Sequence, residues 1–111
     1  MSAPPIDQAV FTELQETAGA EFVVELVDTF IEEAPSMLAE MRAASAAGAV
    51  DRFRRAAHSL KSNAHTFGAT ALATQALALE VDGLPVGTRG IDAVDAEFAR
   101  VAVALKELAR G

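Results

Sequence analysis

Residues 20–46 read AEFVVELVDTFIEEAPSMLAEMRAASA. Within them Val23, Val27, Phe30, Ala34, Met37 and Met41 recur at alternating steps of four and three, and Phe22, Leu26, Ile31 and Leu38 widen the apolar stripe. Glu21, Glu25, Asp28, Glu32 and Glu40 fill the rest of the wheel. A stripe of this period with acids opposite is the pattern of a long amphipathic helix that buries one side. Pro35 stands inside it and cannot donate to the Ile31 carbonyl, which predicts a kink or a short break. Gly48 marks its end.

Working outward, the same period continues in both directions. Ile6, Val10 and Leu14, with Phe11 beside them, predict a short first helix over 6–18, interrupted by Gly19. Residues 50–67 form the next helix, and Gly68 is placed to stop it in a left-handed turn. Thr70 is expected to cap a helix reaching about Asp82, with Leu72, Ala76 and Leu79 inward. Residues 83–90, rich in Gly and Pro, read as a loop. The last helix spans 91–109, where Ile91, Val94, Phe98, Val101, Leu105 and Leu108 step by three and four. No segment alternates like a strand. The expected fold is all-α: an antiparallel up-and-down four-helix bundle with an additional short N-terminal helix, one domain over 1–111.

Composition narrows the function. The chain lacks Cys, which excludes a disulfide framework, a thiolate metal site and a cysteine nucleophile, and agrees with a cytoplasmic setting. Met1 to Pro5 lack the features of a signal peptide, and no apolar stretch reads as a membrane span. The formal net charge of −7 argues against nucleic acid as a partner. That charge is unevenly spread: from Arg52 to Leu79 there are Arg52, Arg54, Arg55 and Lys61 and no acid. A basic strip on an acidic chain points to a negative partner at that place, although most such strips are simply solvated helix faces.

The strip surrounds a histidine. With ~100° per residue, Val50, Phe53, Ala56, Ala57, Leu60, Ala64 and Phe67 fall in one arc and His58 nearly opposite its centre. The imidazole should therefore reach solvent. Arg54 and Arg55 lie one turn before it, Lys61 and Ser62 one turn after, and His65 and Asp51 two turns away on the same side. A neutral imidazole offers a nucleophilic nitrogen near neutral pH, and Lys and Arg can offset phosphoryl charge through charge-assisted hydrogen bonds. Small residues at 57, 62 and 64 leave room for another protein's active site. An exposed helical histidine is nonetheless ordinarily only a surface residue.

The stretch Ala57-His58-Ser59-Leu60-Lys61-Ser62-Asn63-Ala64-His65-Thr66-Phe67-Gly68-Ala69 closely resembles the signature of histidine-containing phosphotransfer (HPt) domains. His58, Leu60, Lys61, Ser62 and Gly68 match its positions, and Phe-Ile-Glu-Glu-Ala-Pro at 30–35 looks like the family's second helix. The resemblance covers essentially the whole chain. It implies that His58 is a phosphoacceptor at Nε2, that Lys61 sits beside the phosphoryl group, and that Gly68 is structural. Ser62 stands where the family more often has Gly, and His65 where many members have a small residue. Arg54, Arg55, Ser62 and His65 are then the expected docking residues. The implied partners are receiver domains of a hybrid histidine kinase and of a response regulator, and the receiver supplies the acidic pocket and Mg²⁺. The chain itself is expected to need no cofactor and no metal, to act as a monomer, and to be a carrier more than an enzyme.

Four rival readings stand beside this one. Kinase dimerisation helices usually place an acid after the His and a Pro five residues on, where this chain has Ser59 and Asn63. An HPt lobe of a larger kinase would fit a fragment, whereas Met1 favours a complete small protein. An adaptor bundle without phosphorylation would keep the motif as a relict. His58 and His65 lie ~10 Å apart along the helix, too far for a metal pair without a third ligand.

Overall fold

The computed structural model describes residues 4–110, so Met1 to Ala3 of the N-terminal reading lie outside the described residues. Five helices follow in order: α1 (Gln8–Ala18), α2 (Ala20–Ala47), α3 (Val50–Phe67), α4 (Thr70–Asp82) and α5 (Arg89–Arg110). No strand occurs among the described residues. Helix α3 packs most extensively on α4 and α2, α5 closes against both α2 and α4, and α1 lies on α2 and α3. Among the described residues no helix is long and apolar enough to cross a membrane.

The buried positions follow the sequence stripes. Val23, Val27, Phe30, Ala34, Leu38 and Met41 of α2 meet Phe53, Ala57, Leu60, Ala64 and Phe67 of α3 and Val94, Phe98, Val101 and Leu105 of α5 in one core. Phe30 joins three helices: it stacks on Phe67 with centroids 5.3 Å apart and meets Phe98 edge-on at 5.6 Å. Such pairs add ~0.5–1.5 kcal/mol each beyond the area they bury. Phe22 departs from the expected stripe and is exposed.

Three helix starts, and the helix at Pro35, need comment beside the sequence reading. Helix α1 begins at Gln8, because Asp7 accepts from the Ala9 amide at 3.0 Å and so acts as the N-cap. Helix α2 runs unbroken through Pro35. Pro35 lies on the solvent side, where water can take the Ile31 carbonyl, while its neighbours Ala34 and Leu38 are anchored in the core. Thr70 does not cap α4: it is the first helical residue, Ala69 precedes it as N-cap, and its hydroxyl donates back to the Gly68 carbonyl at 3.4 Å. The loop after α4 ends earlier than expected, since α5 already starts at Arg89.

Gly68 is the joint that sets α3 against α4. Its φ of 77° is left-handed, and it closes α3 by donating to the Ala64 and His65 carbonyls. A second constraint comes from α1. The Asp7 amide donates to the Gly68 carbonyl at 2.8 Å, and a Cβ at 68 would stand 2.8 Å from the Val10 Cβ and 2.9 Å from the Asp7 carbonyl oxygen. Only glycine satisfies both the turn and the approach of α1.

Candidate functional site

His58 projects from the middle of α3, away from the core arc, and its side chain is 58% exposed. The arc predicted to be buried is buried at Phe53, Ala56, Ala57, Leu60, Ala64 and Phe67, with Val50 half-buried at the end. The exposure of the imidazole is thus a direct result of helical phase.

Its decisive partner comes from another helix. Glu80 of α4 meets His58 Nδ1 through Oε2 at 2.9 Å and the Lys61 ammonium through Oε1 at 2.8 Å. One carboxylate therefore clamps the two residues that the α3 wheel had placed one turn apart. For a neutral ring the contact requires Nδ1 to carry the proton and donate to Glu80. The lone pair then resides on Nε2, on a side chain that stays largely open to solvent. The Lys61 ammonium holds the Glu80 carboxyl below its usual value against the opposing effect of burial, with a lesser contribution from the His58 ring.

Glu80 escaped the wheel argument because that argument sees only one helix. A signal was present: His58 and Glu80 stand at equal distances along the chain on either side of Ala69, where the α3–α4 turn folds back. Glu80 is also the first acid after the acid-free segment.

The basic strip is altered by its neighbours. Arg52 forms a two-pronged pair with Glu40 of α2, at 3.0 and 2.8 Å, which lowers the Glu40 pKa and raises that of Arg52. Lys61 is mostly covered, with 19% of its side chain accessible, because it lies in the α3–α4 seam against Glu80. Arg54 turns across the same seam, its guanidinium packing over Gly83. Arg55 stays on its own helix, its Nε donating to the Asp51 carbonyl at 3.4 Å. Ser62 and His65 are exposed on the His58 side. On the α2 side, a shallow groove floored by Met37 and Ala56 and rimmed by Arg55 and Ser59 runs beside the histidine.

The site thus brings together an exposed imidazole met at Nδ1 by a carboxylate, a covered ammonium one turn away and small flanking residues. The chain belongs to the Hpt domain family, whose model matches residues 25–104. It is a histidine phosphotransfer domain of phosphorelay signalling, a class whose members work with receiver domains. Among solved structures it is similar to histidine-containing phosphotransfer protein B (HptB) from Pseudomonas aeruginosa PAO1. The two are 32% identical with a TM-score of 0.82, over 98% of this chain and 97% of that one. Among curated proteins none matches this chain.

Proposed function

We propose that His58 is the phosphoacceptor, taking a phosphoryl group at Nε2 from a receiver's phospho-aspartate and passing it to the aspartate of a second receiver. The observation that carries this is the Glu80 contact at Nδ1, which leaves the Nε2 lone pair on the exposed side of a histidine in a matching HPt motif. In the forward step the Nε2 pair attacks phosphorus, the N–P bond forms, and the bond from phosphorus to the aspartyl oxygen breaks with its electrons on the carboxylate. Positive charge grows on the ring as it does so, and the Glu80 carboxylate at Nδ1–H offsets it. Lys61, one turn away, offsets the charge of the phosphoryl oxygens. The return step reverses each bond change. Acyl phosphate and phosphoramidate are both energy-rich, so the direction is set by the partners.

On this reading the chain is a carrier and substrate rather than a catalyst, and it binds no nucleotide or metal of its own. Its partners are the receivers of a hybrid kinase and a response regulator. Arg54, Arg55, Ser62 and His65 line the docking face, it acts as a monomer in the cytoplasm, and 1–111 form one domain. The ring of contacts α2–α3–α4–α5–α2, with short joints, supports an antiparallel up-and-down bundle with α1 laid across it.

The test is labelling of wild type and His58→Gln by phosphorylated receivers. The variant should keep the helical signal and melting point of the wild type and take up no acid-labile phosphate. Phosphate remaining on the variant, for instance on His65, would refute the assignment.

A further inference from the structure

The outer side of α4 lacks the charge that a solvent-facing helix normally carries. Its charged residues are Glu80 and Asp82, both in the last turn, and Glu80 is turned into the α3–α4 seam. Between Thr70 and Asp82, which are exposed at its two ends, what faces water is Thr74, Leu77, Ala78 and Val81, with Leu77 42% and Val81 67% exposed. Single exposed apolar side chains need no explanation. Here two large ones stand four residues apart, on one face, in a helix that is apolar around nearly its whole circumference.

The stripe borders Glu80, which touches the His58 ring. Leu77 and Val81 flank Glu80 on its solvent side, at three residues before and one after, and Glu80 touches His58. Because the chain reverses at Gly68 and Ala69, α4 runs back beside α3. Leu77 is then level with Lys61 and Ser62, and Val81 with Ala57 and Arg54. His58 thus lies between two unlike borders: Arg55, Ser59 and the groove toward α2 on one side, and an uncharged apolar ridge on the other.

We infer that the Leu77–Val81 ridge of α4 is a docking edge for the receiver domain that exchanges phosphate with His58, supplying apolar contact on the side opposite Arg55. This rests on the reading of His58 as phosphoacceptor. Continuity with that face favours the receiver: a partner that brings an aspartate to Nε2 comes to a face whose neighbouring helix, one helix spacing away, carries the ridge. Size favours it over a second copy of the chain. A stable dimer buries about 800 Å² per partner from some 20–30 residues, far more than four small and medium side chains offer. A brief encounter that must dissolve after each transfer needs only such a patch.

The experiment compares wild type with Leu77→Gln/Val81→Gln, uncharged changes that avoid repelling an acidic partner. Both proteins are first phosphorylated with phosphoramidate, a small donor that needs no docking. Transfer from phospho-His58 is then followed against the concentration of a receiver domain of the source genome that discharges the wild type, at low and high salt. Equal phosphoramidate labelling, with KM raised about tenfold at both salt levels and kcat unchanged, is the expected result. Equal KM values overturn the inference, as does a wild-type dimer in sedimentation that the substitutions dissolve. If His58 of the wild type neither accepts phosphoramidate phosphate nor exchanges with any receiver, the phosphoacceptor reading fails and the inference with it. Should the glutamine pair unfold, Leu77→Ala/Val81→Ala, which keeps helix propensity, is measured in its place and must raise KM in the same direction.

Discussion

Replacing Gly68 by Ala, with Gly48→Ala as its control, separates two roles of a helix-ending glycine. Both glycines are left-handed, at φ 77° and 68°, and both close a helix. An L-residue in that conformation costs about 1–2 kcal/mol, of which the stiffer unfolded chain returns a part. At Gly48 nothing lies within 4 Å of a new Cβ, so that conformational cost, about 1 kcal/mol, is the whole effect. At Gly68 the Cβ meets the Val10 Cβ at 2.8 Å and the Asp7 carbonyl oxygen at 2.9 Å, atoms that cannot swing aside as a flexible side-chain end would. Helix α1 has to move off by roughly 1 Å, which breaks or stretches the Asp7–Gly68 hydrogen bond, worth about 1 kcal/mol, and loosens Ile6 and Phe11 in the core. Overpacking of this kind costs ~1–3 kcal/mol. Gly68→Ala should therefore destabilise by about 3 kcal/mol and Gly48→Ala by about 1 kcal/mol. At ~5 °C per kcal/mol the melting points should fall by about 15 °C and about 5 °C. Urea titration and thermal melting followed by far-UV circular dichroism measure both. Equal losses for the two variants, within about 0.5 kcal/mol, would refute the claim that the approach of α1 makes Gly68 obligatory. Labelling of His58 by phosphoramidate should survive in both, since the approach of α1 at Gly68 lies beyond the end of α3, far along the chain from the imidazole.

Two further outcomes follow from the charges. Glu80 has a folded pKa below its unfolded value, so its contribution to stability is present above about pH 4.3, the unfolded value, and is lost as pH falls through the folded one. Glu80→Gln should accordingly be less stable than wild type near neutrality, with the gap in urea midpoint closing on acidification to about pH 3; a gap that stays constant would mean that the Lys61–Glu80 pair has no pH-linked role. Glu40 and Asp92, also lowered by their arginine partners, change both proteins alike and drop out of the comparison. Reversing Arg54 and Arg55 to Glu should slow receiver association in stopped-flow transfer, with added salt narrowing the difference from wild type. A salt-independent difference would assign the arginines a packing or specific contact role and end the electrostatic account.

The helices themselves were legible in the sequence because their signals are local. A stripe at steps of three and four, a glycine at a helix end and the phase of His58 against Phe53, Leu60 and Ala64 all lie within one segment, and tertiary packing then agreed with them. Departures arose where packing outweighed a local rule, as at Pro35, where α2 continues without the short break that proline allows while Ala34 and Leu38 are held in the core. What the sequence could not rank was the partners that other helices bring. The segment from Arg52 to Leu79 has no acid of its own, yet α2 delivers Glu40 to Arg52 and α4 delivers Glu80 to Lys61 and His58. The strip that reads as free positive charge is in fact half neutralised, and the histidine that reads as merely exposed is met at Nδ1 by a carboxylate of the next helix. Periodicity reports which face of a helix is buried. Which residue of a neighbouring helix reaches across the seam depends on the rotation and axial register of two packed helices, and only the tertiary structure sets those.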